Sequence, residues 1–518
     1  MDEVAFELDG RRVQVPDDGG HLLAALRERL GVRSVKDGCS PQGQCGCCTV
    51  LVDGAPRVAC VTPLRRVAGR SVTTVDGLDP ASSRQWAEAF CATGASQCGF
   101  CTPGILVRLE GHRQRRGGLD DRAAVDKALA AHLCRCTGWQ TIVEAATAMA
   151  TDAQVARPDR DLDAAARRAE IEGGVPQEVS PDVALGRSGF ADDTAPDDAL
   201  VAVPADDGSW AVGESLAEAL ERAGKVQGRR TTLPVSWPID VPEGEWDATL
   251  RTTWVEPAYL EPDASWCVPG GEPASPLANG GAFGGKAPSL VTGAARQLAD
   301  LHDRPVRVLL PREWVVRWGP KRPPIAAGIR ADGTGVIRAV RTDGFAELLA
   351  DVAPQLVVEE VDVEGPPTSM ALRAAGWAEV AVLRAALSPE GSIRVVDPTG
   401  AGWAEAEVDD AGVRVRVGGG PPLDETVLRS YAVGAAHQAL GWVGAESLTV
   451  DEAGEPHDLT IRSFGVLRSS ETPPIAVEIE AEDGPPVRAG DAAFAAVAAA
   501  VWRARGCPRS LPTSEASS

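Results

Sequence analysis

Eight of the 12 cysteines lie in two short groups, and their spacing constrains the chain more than any other feature. The first group is Cys39, Cys45, Cys48 and Cys60, and the second is Cys98, Cys101, Cys134 and Cys136. In a reducing compartment, cysteines at this density favour metal binding over disulfide bonds. The first 150 residues are therefore predicted to bind metal.

The first group lies in a glycine-rich loop that runs GCSPQGQCGCCT from Gly38. Glycines let backbone N–H groups turn toward sulfur atoms without a Cβ in the way. Plant-type 2Fe–2S ferredoxins space their ligands C-x4-C-x2-C with a distant fourth cysteine. Cys45, Cys48 and Cys60 fit that pattern, but five residues separate Cys39 from Cys45, one more than usual. Cys47 is placed outside the ligand set. A zinc ribbon or buried packing cysteines are the alternatives, although zinc sites usually show paired C-x2-C knuckles.

The second group reads QCGFCTPG and then CRCTGW, a C-x2-C followed by a C-x-C. Both halves precede predicted helices, since Pro103 suits a first helical turn and a helix is expected to begin near Trp139. Helix N-termini stabilise thiolates. The pattern fits a second 2Fe–2S cluster, and zinc is the alternative for this group taken alone.

Hydrophobic periodicity predicts an α+β multidomain chain. A β-hairpin at 4–15 around Asp9-Gly10, a helix at 21–30 and a strand at 49–52 fit a β-grasp, ferredoxin-like domain. Helices are predicted at 84–93, 104–116, 122–133 and 139–150, and mixed α/β structure is expected beyond residue 184. The predicted divisions are a ferredoxin-like domain at 1–78, a helical domain at 79–150, a linker at 151–183, and two α/β regions at 184–345 and 346–518.

Charge and hydropathy exclude several functions. The net charge is −23, and because residues 1–150 carry about +1, the remainder carries about −24. Such an acidic surface repels nucleic-acid phosphates. No apolar run approaches the ~20 residues of a membrane span. The start, MDEV, has no basic or apolar signal region, so a cytoplasmic location is expected.

The cysteine motifs resemble those of the molybdenum hydroxylases, the family of xanthine dehydrogenase, aldehyde oxidase and carbon monoxide dehydrogenase. GQCGCCTVLVDG is similar to the family's first motif, and QCGFCTPG with CRCTGW is similar to its second. The resemblance covers residues 1–150. It implies that electrons pass from a molybdenum centre to the Cys98–Cys136 group and then to the Cys39–Cys60 group.

A weaker resemblance extends over residues 184–518, as a shortened hammerhead and molybdopterin-binding-like part. The segment ANGGAFGGK at 278–286 is similar to the family's GGGFGGK loop, which approaches the molybdenum cofactor. The resemblance implies molybdopterin-binding roles for Gly280, Gly281, Phe283, Gly284, Gly285 and Lys286. A glycine run lets backbone amides approach an anion. The alternative is a glycine-rich turn that packs two elements.

The family's general-base glutamate aligns with Asp491, which is shorter by one methylene. Glu471 is a second, lower-ranked carboxylate. This half is less than half the usual length of the family's molybdenum-binding chain, and no equivalent of the family's Arg-containing substrate loop is recognised around 345–375. Nor does any flavin domain separate the two halves.

Three functions follow as hypotheses. The first is an electron-transfer component with two 2Fe–2S clusters, an FAD-bearing partner subunit and a full-length molybdopterin subunit. The second is a compact hydroxylase that binds molybdopterin on this chain, with Asp491 as the base. The third is a redox-sensing scaffold.

Overall fold

The computed structural model describes residues 3–39, 41–151, 159–224, 233–287, 289–389 and 391–513. The strands are β1 (Glu3–Leu8), β2 (Arg11–Pro16), β3 (Thr49–Val52), β4 (Ala55–Val58), β5 (Ser71–Thr73), β6 (Leu200–Pro204), β7 (Trp210–Gly213), β8 (Ala248–Thr252), β9 (Asp263–Cys267), β10 (Val306–Leu310), β11 (Ile325–Ile329), β12 (Gly335–Val340), β13 (Leu356–Val361), β14 (Ile393–Val396), β15 (Trp403–Asp409), β16 (Gly412–Gly418), β17 (Ile475–Glu480) and β18 (Ser510–Leu511).

The α-helices are α1 (Leu22–Ala24), α2 (Pro80–Thr93), α3 (Thr102–Arg116), α4 (Arg122–Leu129), α5 (Gln140–Ala150), α6 (Leu162–Gly173), α7 (Pro181–Ala184), α8 (Ala191–Thr194), α9 (Leu216–Ala223), α10 (Val291–His302), α11 (Arg312–Trp318), α12 (Phe345–Val352), α13 (Trp377–Ala385), α14 (Glu425–Gly444) and α15 (Gly490–Ala504). A π-helical turn, Ala25–Arg29, continues α1.

The first five strands form one sheet in the order β2-β1-β5-β3-β4. Asp9 and Gly10 have φ angles of 48° and 78°, which produce a tight hairpin whose twist matches that of the flanking strands. β1 pairs parallel with β5, and β3 pairs antiparallel with both β4 and β5. This mixed sheet, with α1 after the hairpin, confirms the predicted β-grasp.

Four helices follow the sheet, as predicted, with shifted ends. α2 begins at Pro80 because the Asp79 carboxylate accepts a hydrogen bond from Ser82 N at 3.0 Å and caps the helix. α4 ends at Leu129, four residues before the predicted end. The chain turns there, and Leu133 N then donates to Cys45 O at 2.9 Å. A tertiary contact between the two cysteine groups thus overrides the local helical periodicity.

In the C-terminal half, residues 184–513, the described strands form three sheets. Their strand orders are β7-β6-β10-β9, β13-β12-β11-β8-β18 and β14-β15-β16-β17. The middle sheet joins strands from both sides of the predicted division at 345/346, because β12 pairs parallel with β13 along six residues. α14 is almost entirely buried and packs against α15.

Buried ion pairs join the N-terminal region, residues 3–150, to the C-terminal half. Arg27 contacts Asp192 at 2.6 Å and Asp193 at 2.9 Å. Arg135 forms a two-armed pair with Glu446, with Nη2 2.8 Å from Oε2. Removing one partner of such a pair leaves an uncompensated buried charge, so these contacts hold the two parts in one orientation.

The predicted linker at 151–183 contains residues 152–158, which lie outside the described residues. Its later part forms α6 and α7, and Arg168 of α6 is fully buried. The predicted domain limits remain predictions. None of the helices within the described ranges has both the length and the hydropathy of a membrane span.

Candidate metal centres and the adjoining cavity

The first cysteine group lies in the loop that leads into β3, with Cys60 following β4. The Cys39 thiol contacts those of Cys45 and Cys60, and the Cys60 thiol contacts that of Cys48. All four side chains are buried. Gln42 N lies 3.4 Å from Cys39 Sγ, and Cys60 N lies 3.4 Å from Cys48 Sγ. The loop thus directs backbone N–H groups at sulfur, as its glycine content predicts.

The second cysteine group lies at helix starts. Cys101 is the N-cap residue of α3, and its thiol contacts that of Cys134. Cys98 Sγ lies 3.7 Å from Cys136 Sγ. The hydrogen bond with Cys101 lowers the pKa of Cys134 to about 6, so one thiolate is stabilised near neutral pH.

These contacts fit a binuclear cluster. Among the residues that the structure describes, no group of three or more His, Cys, Asp or Glu side chains could hold a single metal ion. The thiols of the first group form a chain of contacts from Cys45 through Cys39 and Cys60 to Cys48, and those of the second form two pairs. Four thiolates shared between two irons are what a 2Fe–2S cluster requires. Both sets of side chains therefore fit the predicted cofactor.

A short bridge connects the two groups. Leu133, next to Cys134, donates its N–H to the carbonyl of Cys45 at 2.9 Å. The buried His132 ring packs beside it, and a Cβ on Gly46 would lie 2.5 Å from that ring, so only glycine fits. Cys47, the surplus thiol, is also buried here. Sequence spacing gave no signal for this bridge.

A cavity of about 270 Å³ adjoins the second group. Cys98 and Cys136 form one wall, and Asp491 lies on another. Of the six predicted cofactor-binding residues, four line this cavity: Gly280, Gly281, Phe283 and Gly284. Gly285 and Lys286 are not among the residues that line it. The structure thus brings most of the predicted site to the second cysteine group.

Packing explains several of the glycines. A Cβ on Gly284 would lie 1.7 Å from Ala371 O, and one on Gly281 would lie 2.5 Å from Gly173 O. Lys286 is buried, and its Nζ lies 2.7 Å from Glu261 Oε2. The alternative of a glycine turn that packs neighbouring elements therefore accounts for Gly281 and Gly284, and the lysine charge is compensated by a neighbouring carboxylate.

Asp491 is held by two arginines. Arg373 Nε lies 3.1 Å from its carboxylate, and Arg488 Nη1 lies 3.3 Å away. Arg373 also stacks on the Phe283 ring, 4.8 Å from the ring centroid. Sequence reasoning missed Arg373. Its place in the apolar run ALRAA was an available signal, since a buried arginine requires an anionic partner.

Two further carboxylates, Glu172 and Glu471, differ in their position relative to the cavity. Glu172 caps the N-terminus of α15, where it accepts hydrogen bonds from Ala489 N at 3.1 Å and Gly490 N at 2.8 Å. Glu471 is exposed in a 3-10 turn and is not part of the cavity wall. Of the two predicted bases, only Asp491 lies at the cavity.

Comparison with known proteins places these features in a family. Residues 6–65 match a family described as 2Fe-2S iron-sulfur cluster binding domain, and residues 74–147 match a 2Fe-2S binding domain family. The small subunit of nicotine 6-hydroxylase from Paenarthrobacter nicotinovorans is 40% identical over 144 residues, which are 28% of this chain and 86% of that protein. Isoquinoline 1-oxidoreductase subunit alpha from Brevundimonas diminuta is 37% identical over 27% of this chain and 91% of its own length.

Longer relatives match over the same share of this chain. Aldehyde oxidoreductase from Megalodesulfovibrio gigas is 38% identical over 146 residues, which are only 16% of that protein. The crystal structure of aldehyde oxidoreductase from Desulfovibrio desulfuricans aligns over 97% of both chains with a TM-score of 0.72 and 14% identity, which establishes a common fold. The chain therefore belongs to the molybdenum hydroxylase family, with an N-terminal region like the iron–sulfur subunits of that family.

Proposed function

We propose that the chain transfers electrons within a molybdenum-hydroxylase-type oxidoreductase through two 2Fe–2S clusters. Cys39, Cys45, Cys48 and Cys60 would hold the first cluster, and Cys98, Cys101, Cys134 and Cys136 would hold the second. Electrons would enter at the second cluster, which adjoins the cavity, and leave from the first toward an FAD-bearing partner.

The observation that carries this proposal is the bridge between the two groups. From Cys134 the path runs through one covalent link to Leu133 and then through one hydrogen bond of 2.9 Å to the carbonyl of Cys45. The intervening groups are buried, so the path excludes water. Two clusters joined this closely are suited to passing single electrons and not to two independent structural roles.

Iron and sulfide analysis of the purified chain tests the proposal. About four irons and four sulfides per chain are expected, because each 2Fe–2S cluster has two of each. The dithionite-reduced chain should give two distinct EPR signals. A chain that binds zinc instead of iron would contradict the proposal.

The cavity favours a second candidate, in which molybdopterin binds to this chain and not only to a separate subunit. The C-terminal half covers the face of the second group. Asn279 Nδ2 donates to Cys98 O at 3.1 Å, and Ser430 Oγ lies 3.0 Å from Gln97 Nε2. A full-length molybdopterin subunit would have to displace these contacts to reach the same face.

The cavity is close in size to small-molecule sites, which start near 300 Å³. When bound there, molybdopterin would supply the two-electron oxidation of a substrate. Gly280 is the glycine best placed toward it. A Cβ on Gly280 would meet Cys98 Cβ at 3.1 Å and no other atom within 4 Å, so the backbone there is otherwise open to the cavity. Asp491 would be the base, and Arg373 and Arg488 would have to release its carboxylate first.

Molybdenum analysis separates the two candidates. The chain is produced in a host that makes molybdopterin and is analysed for molybdenum and released pterin. About one molybdenum per chain would support the second candidate. Full iron content with no molybdenum or pterin would leave the electron-transfer role alone, and the molybdenum centre would then belong to a partner.

A further inference from the structure

Cys47 is the surplus thiol of the first cysteine loop, and the proposed function gives it no role. It is only 1% exposed, and its thiol contacts that of Cys45. Cys47 therefore extends the chain of thiol contacts at the Cys45 end. The other acceptor for its S–H is the Cys45 carbonyl oxygen, which lies 4.0 Å from Cys47 Sγ and is distant even for a sulfur donor. The thiol of Cys45 is thus the main polar contact of Cys47.

Tight packing holds Cys47 in this place. A Cβ on Gly38 would lie 3.2 Å from Cys47 Sγ, and a Cβ on Gly104 of α3 would lie 2.7 Å from Cys47 O. Two glycines thus bring backbone close to the side chain and to the main chain of this residue. The thiol has little freedom to turn away from Cys45.

The direction of the hydrogen bond follows from the role of Cys45. As a cluster ligand, Cys45 would be a thiolate and carry no proton. A thiol buried in apolar surroundings keeps its own proton. The hydrogen in the contact would therefore come from Cys47, whose S–H would point at the sulfur of a ligand.

We propose that Cys47 is a positioning residue of the first group, which donates its S–H to the Cys45 sulfur and thereby raises the reduction potential of the cluster held there. One-electron reduction adds negative charge to the cluster and its ligand sulfurs, and a hydrogen bond to sulfur stabilises that charge. The Cys47 proton stays on its own sulfur, and no bond forms or breaks. This inference rests on the proposed function and adds that Cys47 favours electron flow toward the first group.

Redox titration of the chain with both clusters tests the donor, with each cluster followed by its EPR signal. Cys47→Ala removes the S–H, so the equilibrium constant for reduction of the first cluster should fall about threefold or more. This corresponds to about 28 mV at 59 mV per tenfold change for one electron. Cys47→Ser keeps a hydroxyl donor and should recover most of the loss. The potential of the second cluster should change less in both variants.

A second readout distinguishes a hydrogen bond from packing. After exchange into D2O, deuterium ENDOR of the reduced first cluster should show one strongly coupled exchangeable hydrogen fewer in Cys47→Ala than in the wild type. Thr137 offers a matched control at the other group, because its Oγ1 lies 3.2 Å from Cys134 Sγ. Thr137→Val removes that hydroxyl at nearly equal volume and should lower the potential of the second cluster, with the first unchanged.

The outcomes separate this inference from the proposed function. Loss of about half of the iron from folded Cys47→Ala would show that Cys47 is itself a ligand and would overturn the inference. Full iron content with an unchanged first potential would also overturn it, as would a Cys47→Ser potential as low as that of Cys47→Ala, and both results leave the proposed function intact. A wild-type chain without iron–sulfur clusters would overturn the two together.

Discussion

The two cysteine groups differ in what completes them. The first is held by a loop of its own domain and lies beneath the exposed Val61. The second lies at helix starts, and the C-terminal half closes over it through Asn279 and Gln438, whose Nε2 donates to Arg135 O at 3.1 Å. The first group is thus formed within its own domain and is contacted by the C-terminal half at Gln42 and Gln44, whereas that half closes over the second group, which depends on docking. In the proposed electron route, the entry and exit sites would therefore be formed by different parts of the chain.

If the two clusters assemble independently, a substitution in one cysteine group should leave the cluster of the other group intact. Cys134→Ser removes one ligand of the second group and should eliminate one of the two reduced EPR signals, with about half of the iron lost. Cys60→Ser should eliminate the other signal. Loss of both signals from a folded Cys134→Ser chain would contradict independent assembly.

The dependence of the second cysteine group on docking of the C-terminal half can be tested at the buried pair of Arg135 and Glu446. Glu446→Gln leaves Arg135 buried without an anionic partner, which should lower the free energy of unfolding by about 3–5 kcal/mol. In urea, the second EPR signal should disappear before the first. Glu446 lies outside the cysteine loops, so the change leaves all ligands in place.

A matched substitution exists at a more exposed pair. Glu144 of α5 contacts Arg429 of α14 at 2.6 Å, with side chains 38% and 30% exposed. Glu144→Gln should cost only about 0–1 kcal/mol, since water screens this pair. Equal losses of stability in the two variants would contradict the dependence of the second cysteine group on docking of the C-terminal half.

The same difference explains what the sequence could predict. The ligand spacing, the Asp9-Gly10 hairpin and the four helices follow local rules, and the structure has each of these elements. The early end of α4 does not follow these local rules, because the hydrogen bond from Leu133 N to Cys45 O sets where the chain turns. Arg373 was missed for a related reason: its role is set by Asp491, 118 residues away.

The glycine segment at 278–286 shows the opposite limit of sequence-based prediction, in which a motif is recognised but the reason for its residues is not. ANGGAFGGK predicted a cofactor loop, and six of its residues do line the cavity. Yet Gly284 is glycine because Ala371 O approaches it, and Lys286 is held by Glu261. A glycine-rich motif indicates that the backbone approaches another group closely, but only the fold identifies that group.

Asn279 tests how finely the C-terminal half adjusts the second group. It adopts φ of 50° and donates to both Gln97 O and Cys98 O. Asn279→Gly keeps the backbone relaxed, because glycine tolerates positive φ. Loss of the side chain's buried hydrogen bonds should cost about 1–3 kcal/mol. The second EPR signal should shift while the first stays unchanged, and a shift of the first alone would reverse the assignment.

The smallest expected effect concerns Glu313, a buried carboxylate of the C-terminal half that accepts a hydrogen bond from Gln42 in the first cysteine loop. Burial raises the pKa of Glu313 to about 6, from 4.5, although the hydrogen bond from Gln42 opposes the shift. The folded state therefore binds this proton more tightly than the unfolded state does. The resulting stabilisation is fully present below pH ~4.5 and is lost as the pH rises through ~6.

Between pH 5 and 7, the wild-type chain should lose about 1 kcal/mol of stability at this position. Glu313→Gln cannot titrate, so its free energy of unfolding should fall less over the same interval. The measurement is a pair of urea titrations at each pH on chains with both clusters, compared as the difference between wild type and variant. A difference that stays constant from pH 5 to 7 would show that Glu313 is charged throughout. The first group would then depend on the C-terminal half through a charge–dipole contact with Gln42, and it would be less self-contained than its loop geometry indicates.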